Sequence, residues 1–295
     1  MNRRTTDIIA SRLMWAVTIF AGLMVFIMAI VLTQSSIPIL STKPLGELLL
    51  GPRWLPTKGQ FGFYPFIIGT LLVTILAMAL AIPICLLTSI YLAEYAPSRI
   101  RGMTKPAIDL LAGIPSVIYG LWGVLVVVPL IRDYLAPLAG VTSSGYSVLA
   151  GAIVLAIMVF PIIISVSEEV FRTVPFQLRE ASFALGATKW QTVKHVVLRK
   201  ALPGFTASVA LGFSRAFGET MAVLMVVGNV ANVPKSLFDP AYPLPALIAN
   251  NYGEMLSIPL YDSALLLAAL ILLLVVAFFT ILSRAVLMRI ERRSI

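Results

Sequence analysis

The chain has 295 residues, of which 59% are hydrophobic and only 12% are charged, against a charged fraction of about 25% in typical soluble domains. This composition is typical of a membrane protein and excludes a soluble domain of ordinary composition. The net charge of +9 does not by itself indicate nucleic-acid binding, because the position of the basic residues matters more than their sum.

Six apolar windows are each long enough, at about 20 residues, to cross a hydrocarbon core of about 30 Å. They cover approximately residues 13–32, 63–93, 110–130, 146–166, 203–229 and 259–283. Three arginines precede the first window, as in a secretory signal peptide. Its apolar run is longer, however, than the apolar region of such a signal, which has about 7 to 15 residues, and it ends without a small-x-small cleavage pattern. We therefore predict a retained first helix and an all-α polytopic membrane protein with six transmembrane helices.

Lys and Arg residues are concentrated in alternate segments of the chain. The N-terminus, residues 94–108, residues 167–202 and the C-terminus from Arg284 hold 3, 3, 6 and 4 of them, whereas the intervening segments 33–60, 131–145 and 230–258 hold 3, 1 and 1. Positive residues stay on the cytoplasmic side of a membrane. We therefore predict that both termini and the two basic loops are cytoplasmic.

Residues 167–202 form a basic loop that is neither apolar enough for lipid nor rich in turn residues. The pattern predicts helix, break, helix, with Gly186 as a left-handed cap of the first helix and Thr188 with Gln191 as a capping box of the second. From the residues alone, a docking segment and an amphipathic helix lying on the bilayer both agree with this pattern.

The run SRAFGETMAVLMVVGN, residues 214–229, places Arg215 and Glu219 four residues apart in an apolar segment. We predict one helix from about Pro203 to Asn229, which places Arg215 near the bilayer midplane at about 1.5 Å per residue. A charge at that depth costs about 2.5 to 3.5 kcal/mol on insertion scales. Since an i,i+4 pair repays only a small part of that cost, helix stability does not explain the two charges.

Two interpretations of the charged pair remain. Arg215 and Glu219 either neutralise each other or a neighbouring subunit as a packing specifier, or they line a polar passage with Ser214 and Thr220. In the second interpretation the guanidinium binds a tetrahedral oxyanion through forked, charge-assisted hydrogen bonds, and Glu219 holds Arg215 in place and moderates its affinity. We favour the passage, because ionisable residues inside a membrane are functional by default.

Several other features are interpreted as structural. Glu94 and Asp109 bracket the loop between the second and third windows and are predicted to lie at the membrane interface, as is Asp262. Gly113, Pro115 and Gly120 are expected to kink or unwind the third helix. With one histidine and one cysteine, we expect no Cys- or His-based metal site.

The stretch LREASFALGATKWQTVKHVVL resembles the EAA motif of ATP-binding-cassette (ABC) import permeases, which reads Glu-Ala-Ala, three residues, Gly, nine residues, Ile-x-Leu-Pro. Glu180, Ala181 and Gly186 are in register, Ser182 replaces the second Ala, Val196 replaces the Ile and Arg199 replaces the Pro. The resemblance implies that this loop docks on a separate ATPase. The residues expected to couple are Arg179, Glu180, Ala181, Ser182, Leu185, Gly186, Ala187 and Thr188.

The resemblance extends over most of the chain from about residue 54. The stretches WLPTKGQFGFYPFIIGTL (54–71), SIYLAEYAPSRIRG (89–102), DLLAGIPSVIYGLWG (109–123) and SRAFGETMAVLMVVGN are similar to phosphate-importer permeases, of the PstC rather than the PstA type. This implies a type I ABC importer (MetI-like) core in residues 61–295, preceded in residues 1–60 by a transmembrane helix and an outer loop. It also implies a multi-pass protein of a prokaryotic cytoplasmic (inner) membrane.

By this resemblance, the chain is one of two homologous permease subunits of an ATP-driven phosphate importer and not an enzyme. The expected partners are a PstA-like permease, a PstB-like ATPase dimer and an extracytoplasmic phosphate-binding protein. The chain contains no G-x-x-x-x-G-K-[ST] loop, so we expect no cofactor on it and ATP-Mg on the partner subunits. The alternatives are a permease for sulfate or molybdate, and an ion-coupled carrier in which Glu219 or Asp262 carries protons.

Overall fold

The computed structural model of the protein describes residues 3–254 and 258–293, and these are mostly helical. The helices are α1 (Arg3–Thr42), α2 (Leu45–Leu50), α3 (Tyr64–Tyr95), α4 (Ser98–Gly113), α5 (Ser116–Leu138), α6 (Val148–Thr173), α7 (Phe176–Ala184), α8 (Lys189–Gly218), α9 (Met221–Val226), α10 (Leu244–Asn251) and α11 (Tyr261–Arg293). Two short strands, β1 (Trp54–Leu55) and β2 (Gln60–Phe61), pair antiparallel around a 3₁₀ turn. We call the end of the molecule near this hairpin the hairpin end, and the opposite end, where α6 meets α7, the loop end.

Six helices, α1, α3, α5, α6, α8 and α11, contain a stretch long and apolar enough to cross a membrane. The predicted number of spans is therefore confirmed. The third span begins later than predicted, at Ser116, because Ile114 and Pro115 are extended and separate it from α4. This is the interruption that Gly113 and Pro115 predict, and it makes α4 a separate helix at the loop end, whereas Gly120 lies within α5 and does not end it.

The core of the fold is the packing of α6 against α3 and α8. On α8, a Cβ atom at Gly212 would lie 2.6 Å from Cδ1 of Ile163 on α6, so only glycine permits this approach. Between these helices the hydroxyls of Ser167 and Ser208 share a hydrogen bond of 2.6 Å in a fully buried position. These contacts make α3, α6 and α8 one packed unit.

The segments between the spans at the hairpin end contain ordered elements although they are rich in turn-forming residues. The Trp54 ring packs edge-on against Phe61 and Phe66, with ring centroids 5.5 and 5.3 Å apart, and also contacts Tyr261. Such aromatic contacts bury a large apolar area and favour edge-on geometry. The hairpin is therefore fixed to the first turn of α3 and to α11, and residues 244–251 form α10 within the last loop.

The first helix lies outside the packed unit. Most side chains between Ile9 and Val31 are exposed, and α1 contacts α11 through its C-terminal part, where Ile39 is fully buried. The predicted division of the chain after residue 60 stays a prediction. The strand β2 crosses that boundary and connects the preceding segment to α3.

Candidate functional site

The fifth span ends at Gly218, so Arg215 and Glu219 do not share a helix. Glu219 has an extended backbone with φ −73° and ψ 128°, and the short α9 begins at Met221. The prediction of one helix from Pro203 to Asn229 is therefore wrong at its C-terminal end. The physical reason is local: Gly218 weakens the helix, and the Glu219 carboxylate accepts a 3.2 Å hydrogen bond from the Ala222 N–H, which stabilises a new helix start.

Arg215, on α8, lies level with the middle of the neighbouring helix α6. The preceding turn of α8 contacts Ile163 through Gly212, and the following residue, Ala216, lines a small cavity together with Leu155. These two α6 residues flank the middle of Val148–Thr173. Arg215 is therefore level with the middle of α6, although it lies in the last turn of its own helix, and its predicted depth in the bilayer stays a prediction.

The Arg215 side chain is exposed on the surface of this chain rather than buried in its interior. Within residues 3–254 and 258–293, no ion pair or hydrogen bond engages its guanidinium, and the four ion pairs present lie elsewhere. Arg215 and Glu219 therefore do not neutralise each other within this chain, and Glu219 does not hold Arg215 in place, because the helix ends between them. Neutralisation by a neighbouring subunit stays an interpretation. The guanidinium is available to a ligand or to a partner subunit.

The polar side chains next to the break point into different surroundings. The Ser214 hydroxyl donates to the Ala210 carbonyl at 3.1 Å, and the Thr220 hydroxyl donates to the Gly218 carbonyl at 3.4 Å. Glu219 is half-buried and lines a small cavity with Thr70 and Thr74 of α3. The break therefore places a cation, a carboxylate and two hydroxyls at one level of the molecule.

Residues 167–202 have the predicted order of helix, break and helix, with α7 ending at Ala184 and α8 beginning at Lys189. Gly186 has a φ of 80°, as a left-handed cap requires. The Gln191 N–H donates to Oγ1 of Thr188 at 3.3 Å, and the Thr188 N–H donates to Oε1 of Gln191 at 2.8 Å, so the capping box is confirmed. The second helix continues into the fifth span through a π-helical turn at Val193–Val197, and neither Arg199 nor Pro203 ends it.

The predicted coupling residues divide between the outer surface and the interior of the loop. Leu185 is 89% exposed, and Glu180, Ala181, Gly186 and Thr188 are also exposed, whereas Ser182 and Ala187 are half-buried. Ser182 shares a 2.9 Å hydrogen bond with Thr192, which joins α7 to α8. Arg179 differs from all of these, because its side chain is only 12% exposed and points towards α3.

Glu94 is the partner of Arg179, and sequence reasoning assigned it only to the membrane interface. Nη2 of Arg179 lies 2.6 Å from Oε1 of Glu94, and Nε lies 3.3 Å from both carboxylate oxygens. Glu94 belongs to a π-helical turn, Tyr91–Tyr95, at the end of α3. The two residues are separated by 85 positions in the chain, so no local pattern could have indicated the pair.

The remaining acidic candidates lie on the surface. Asp109 on α4 and Asp262 in the first turn of α11 are both exposed. Among the residues that the structure describes, no group of three or more His, Cys, Asp or Glu side chains could hold a metal ion. The candidate site therefore consists of the break after Gly218 and the loop that leads into α8.

Both the fold and the family of this chain are shared with known transport proteins. The structure is similar to the methionine ABC transporter MetNI in its inward-facing conformation, with a TM-score of 0.58 and 19% identity over 75% of this chain and 93% of that chain. The fold is thus that of ABC importer transmembrane subunits. The family model described as "Binding-protein-dependent transport system inner membrane component" matches residues 85–292.

Two curated relatives cover most of the chain. The phosphate transport system permease protein PstC of Xylella fastidiosa (strain 9a5c) is 39% identical over 82% of this chain and 78% of that protein. The probable ABC transporter permease protein YqgH of Bacillus subtilis (strain 168) is 40% identical over 81% of this chain and 76% of that protein. The chain belongs to the family of binding-protein-dependent transport system inner membrane components. It is a multi-pass protein of the cytoplasmic membrane.

Proposed function

We propose that this chain is a permease subunit of an ATP-driven importer of inorganic phosphate and forms half of its translocation pathway. The observation that carries the proposal is Arg215, whose guanidinium is exposed at mid-depth beside a break in the fifth span. Similarity to a phosphate transport permease over 82% of this chain supports the choice of phosphate. A guanidinium presents forked donors that match the oxygens of a tetrahedral oxyanion.

The position of Arg215 on the surface of this chain favours a passage between two subunits. A charged side chain at mid-depth is costly when it faces lipid, so it is expected to face a protein partner or a water-filled passage. A second, homologous permease of the PstA type covers that face. Arg215 then lies on the wall of a passage along the subunit interface, with Ser214, Glu219 and Thr220 beside it.

ATP hydrolysis is assigned to separate subunits, because the chain has no phosphate-cradling loop of the P-loop type. The loop of residues 174–188 is the docking surface for a PstB-like ATPase dimer that uses ATP-Mg. Its exposed apolar residues, Phe183 and Leu185, are the contacts that such a partner covers. Both chain termini lie on the same, cytoplasmic side as this loop, and an extracytoplasmic binding protein delivers phosphate at the hairpin end.

The test is uptake of labelled phosphate into vesicles that contain this chain with its candidate partner subunits, with and without ATP and with sulfate as competitor. We expect uptake that requires ATP and is unaffected by sulfate. Arg215→Gln abolishes uptake while assembly and ATPase docking persist. Arg132→Gln is the matched control, because Arg132 is an exposed arginine that pairs with its neighbour Asp133 at 2.7 Å.

Three outcomes contradict the proposal in different ways. Normal uptake by Arg215→Gln removes the role of the arginine. Competition by sulfate or molybdate changes the substrate to another oxyanion. Uptake that follows a proton gradient without ATP indicates a secondary carrier, in which Glu219 or Asp262 carries protons.

A further inference from the structure

One guanidinium joins three helices at the loop end of the molecule. Arg179 on α7 forms a bidentate pair with Glu94 at the end of α3. The same side chain donates to the carbonyls of Val174 and, at 3.0 Å, of Phe171. These are carbonyls from the C-terminal end of α6, which lack partners within the helix. A cation at this position also interacts favourably with the helix dipole.

The pair is nearly buried, unlike the docking surface around it. The side chains of Arg179 and Glu94 are 12% and 10% exposed. The neighbouring pair of Arg172 and Glu168 differs, because its two charges are 3.7 Å apart within one helix and its arginine side chain is 53% exposed. A buried charge is retained only where it is paired and hydrogen-bonded. Arg179 therefore holds a defined position instead of presenting its charge to a partner.

The end of α3 also contacts the other side of the loop break. Nζ of Lys189, the first residue of α8, lies 4.4 Å from the centre of the Tyr95 ring. Ile90 packs in a buried cluster with Val193 and Val197 of α8. The π-helical turn Tyr91–Tyr95 presents neighbouring residues to both loop helices, and such turns are frequent at functional positions.

Two side-chain contacts constrain the orientation of helix α7, namely the pair with Glu94 and the 2.9 Å hydrogen bond between Ser182 and Thr192 of α8. It is joined to α6 through Val174 and Pro175 and to α8 through residues 185–188, and both connections are non-helical. No residue of α7 is buried to the level of the core. The pair with Glu94 connects α7 directly to α3, whereas Ser182 connects α7 to α8, and both α3 and α8 belong to the packed unit.

We propose that Glu94 and Arg179 are positioning residues that transmit movement of the docking loop to α3, so that ATP hydrolysis by the partner drives transport. This inference rests on the proposed function, since it requires an ATPase docked on the loop. It differs from a docking role because the pair acts inside the subunit. Breaking it is expected to uncouple hydrolysis from transport without releasing the ATPase.

The experiment measures phosphate transported per ATP hydrolysed by the complete complex in proteoliposomes, together with the amount of ATPase subunit bound. Glu94→Gln keeps a hydrogen-bond acceptor but removes the charge, and Arg179→Lys keeps the charge but removes the fork. Both variants are expected to bind the ATPase and hydrolyse ATP, while transport per ATP falls by about 5-fold or more, the lower range of coupling between sites. The matched controls Glu169→Gln and Arg172→Lys alter exposed side chains nearby and leave the ratio unchanged.

A reciprocal variant tests whether the two residues act as a pair. The double change Glu94→Arg with Arg179→Glu restores an ion pair but loses the bonds to the α6 carbonyls. It is expected to transport more phosphate per ATP than either single reversal. Transport per ATP that stays normal in Glu94→Gln, the mildest variant, overturns the proposal.

The outcomes separate this inference from the proposed function. Arg179→Lys could lose bound ATPase and transport together, with an unchanged amount of phosphate transported per ATP. Arg179 then belongs to the docking surface and the proposed positioning role is wrong, while the importer assignment stands. If the unchanged complex shows no ATP-dependent uptake, the proposed function itself fails. Failure of both single variants to assemble, with normal assembly of the controls, also overturns the proposal, because the pair is then needed for folding.

Discussion

At the scale of single residues, the helix end after Gly218 assigns different tasks to Arg215 and Glu219. The Glu219 carboxylate binds the Ala222 N–H at 3.2 Å, so it stabilises the start of α9 rather than neutralising Arg215. Its negative charge nevertheless lies one residue beyond the end of the helix that carries Arg215. If Arg215 binds phosphate as proposed, this carboxylate would repel the bound phosphate and favour its release.

This arrangement predicts that Glu219→Gln binds phosphate more tightly and transports it more slowly. The amide oxygen can still accept the Ala222 N–H, so the break persists, while the repulsion disappears. The expected result is a lower KM for uptake and a lower maximal rate. Glu219→Ala is the comparison, because it also loses the helix-start hydrogen bond, whose loss is expected to cost about 0.5–2 kcal/mol of stability. A higher KM with an unchanged maximal rate in Glu219→Gln would argue against the release role.

At the scale of helices, the close approach of α6 and α8 depends on glycines of α8. A Cβ atom at Gly204 would overlap the side chain of Val170 on α6. Gly204→Ala therefore forces the helices apart, and such overpacking is expected to cost about 1–3 kcal/mol. The measurement is the thermal unfolding midpoint of the purified subunit in detergent, where the variant is expected to be lower.

The double change Gly204→Ala with Val170→Ala removes the clashing methyl groups and is expected to recover most of the lost stability. Gly102→Ala is the control for helix propensity, since a Cβ atom there meets nothing within 4 Å, and alanine is favoured over glycine in a helix by about 1 kcal/mol. A Gly204→Ala variant as stable as the Gly102→Ala control would mean that the helices adjust freely at this contact.

Structural features that depend on neighbouring residues could be predicted from the sequence, whereas contacts between distant helices could not. The capping box of Thr188 and Gln191 was predictable because its two residues are three positions apart and act on the local backbone. The end of α8 was not, because residues 203–229 are continuously apolar and hydropathy does not distinguish a helix from a break; Gly218 was the available signal. The pair of Glu94 and Arg179 depends on how α3 and α7 meet, which only the fold determines.

At the scale of the whole molecule, one helix connects the two parts of the candidate site. The helix α8 runs from Lys189, beside the loop break, to Gly218 and includes a π-helical turn at Val193–Val197. Arg215 is 26 residues from its start, about 39 Å at about 1.5 Å per residue. Because α8 is one helical element that packs against α6, we expect a displacement of the loop to be transmitted along it to Arg215 and the break, which supplies a physical connection between the two sites.

This connection predicts that nucleotide on the partner ATPase changes which side of the membrane reaches the break. The test uses Gly218→Cys, a position with open space for a side chain, in a Cys85→Ala background that removes the single native cysteine. A membrane-impermeant thiol reagent is applied from either side of proteoliposomes containing the complete complex. With a non-hydrolysable ATP analogue, labelling is expected to increase from the hairpin side and to decrease from the loop side, because nucleotide biases a two-state equilibrium. Leu138→Cys, which is highly exposed at the hairpin end, is expected to react equally in both states. Labelling of Gly218→Cys that is the same with and without nucleotide would exclude alternating access at this break.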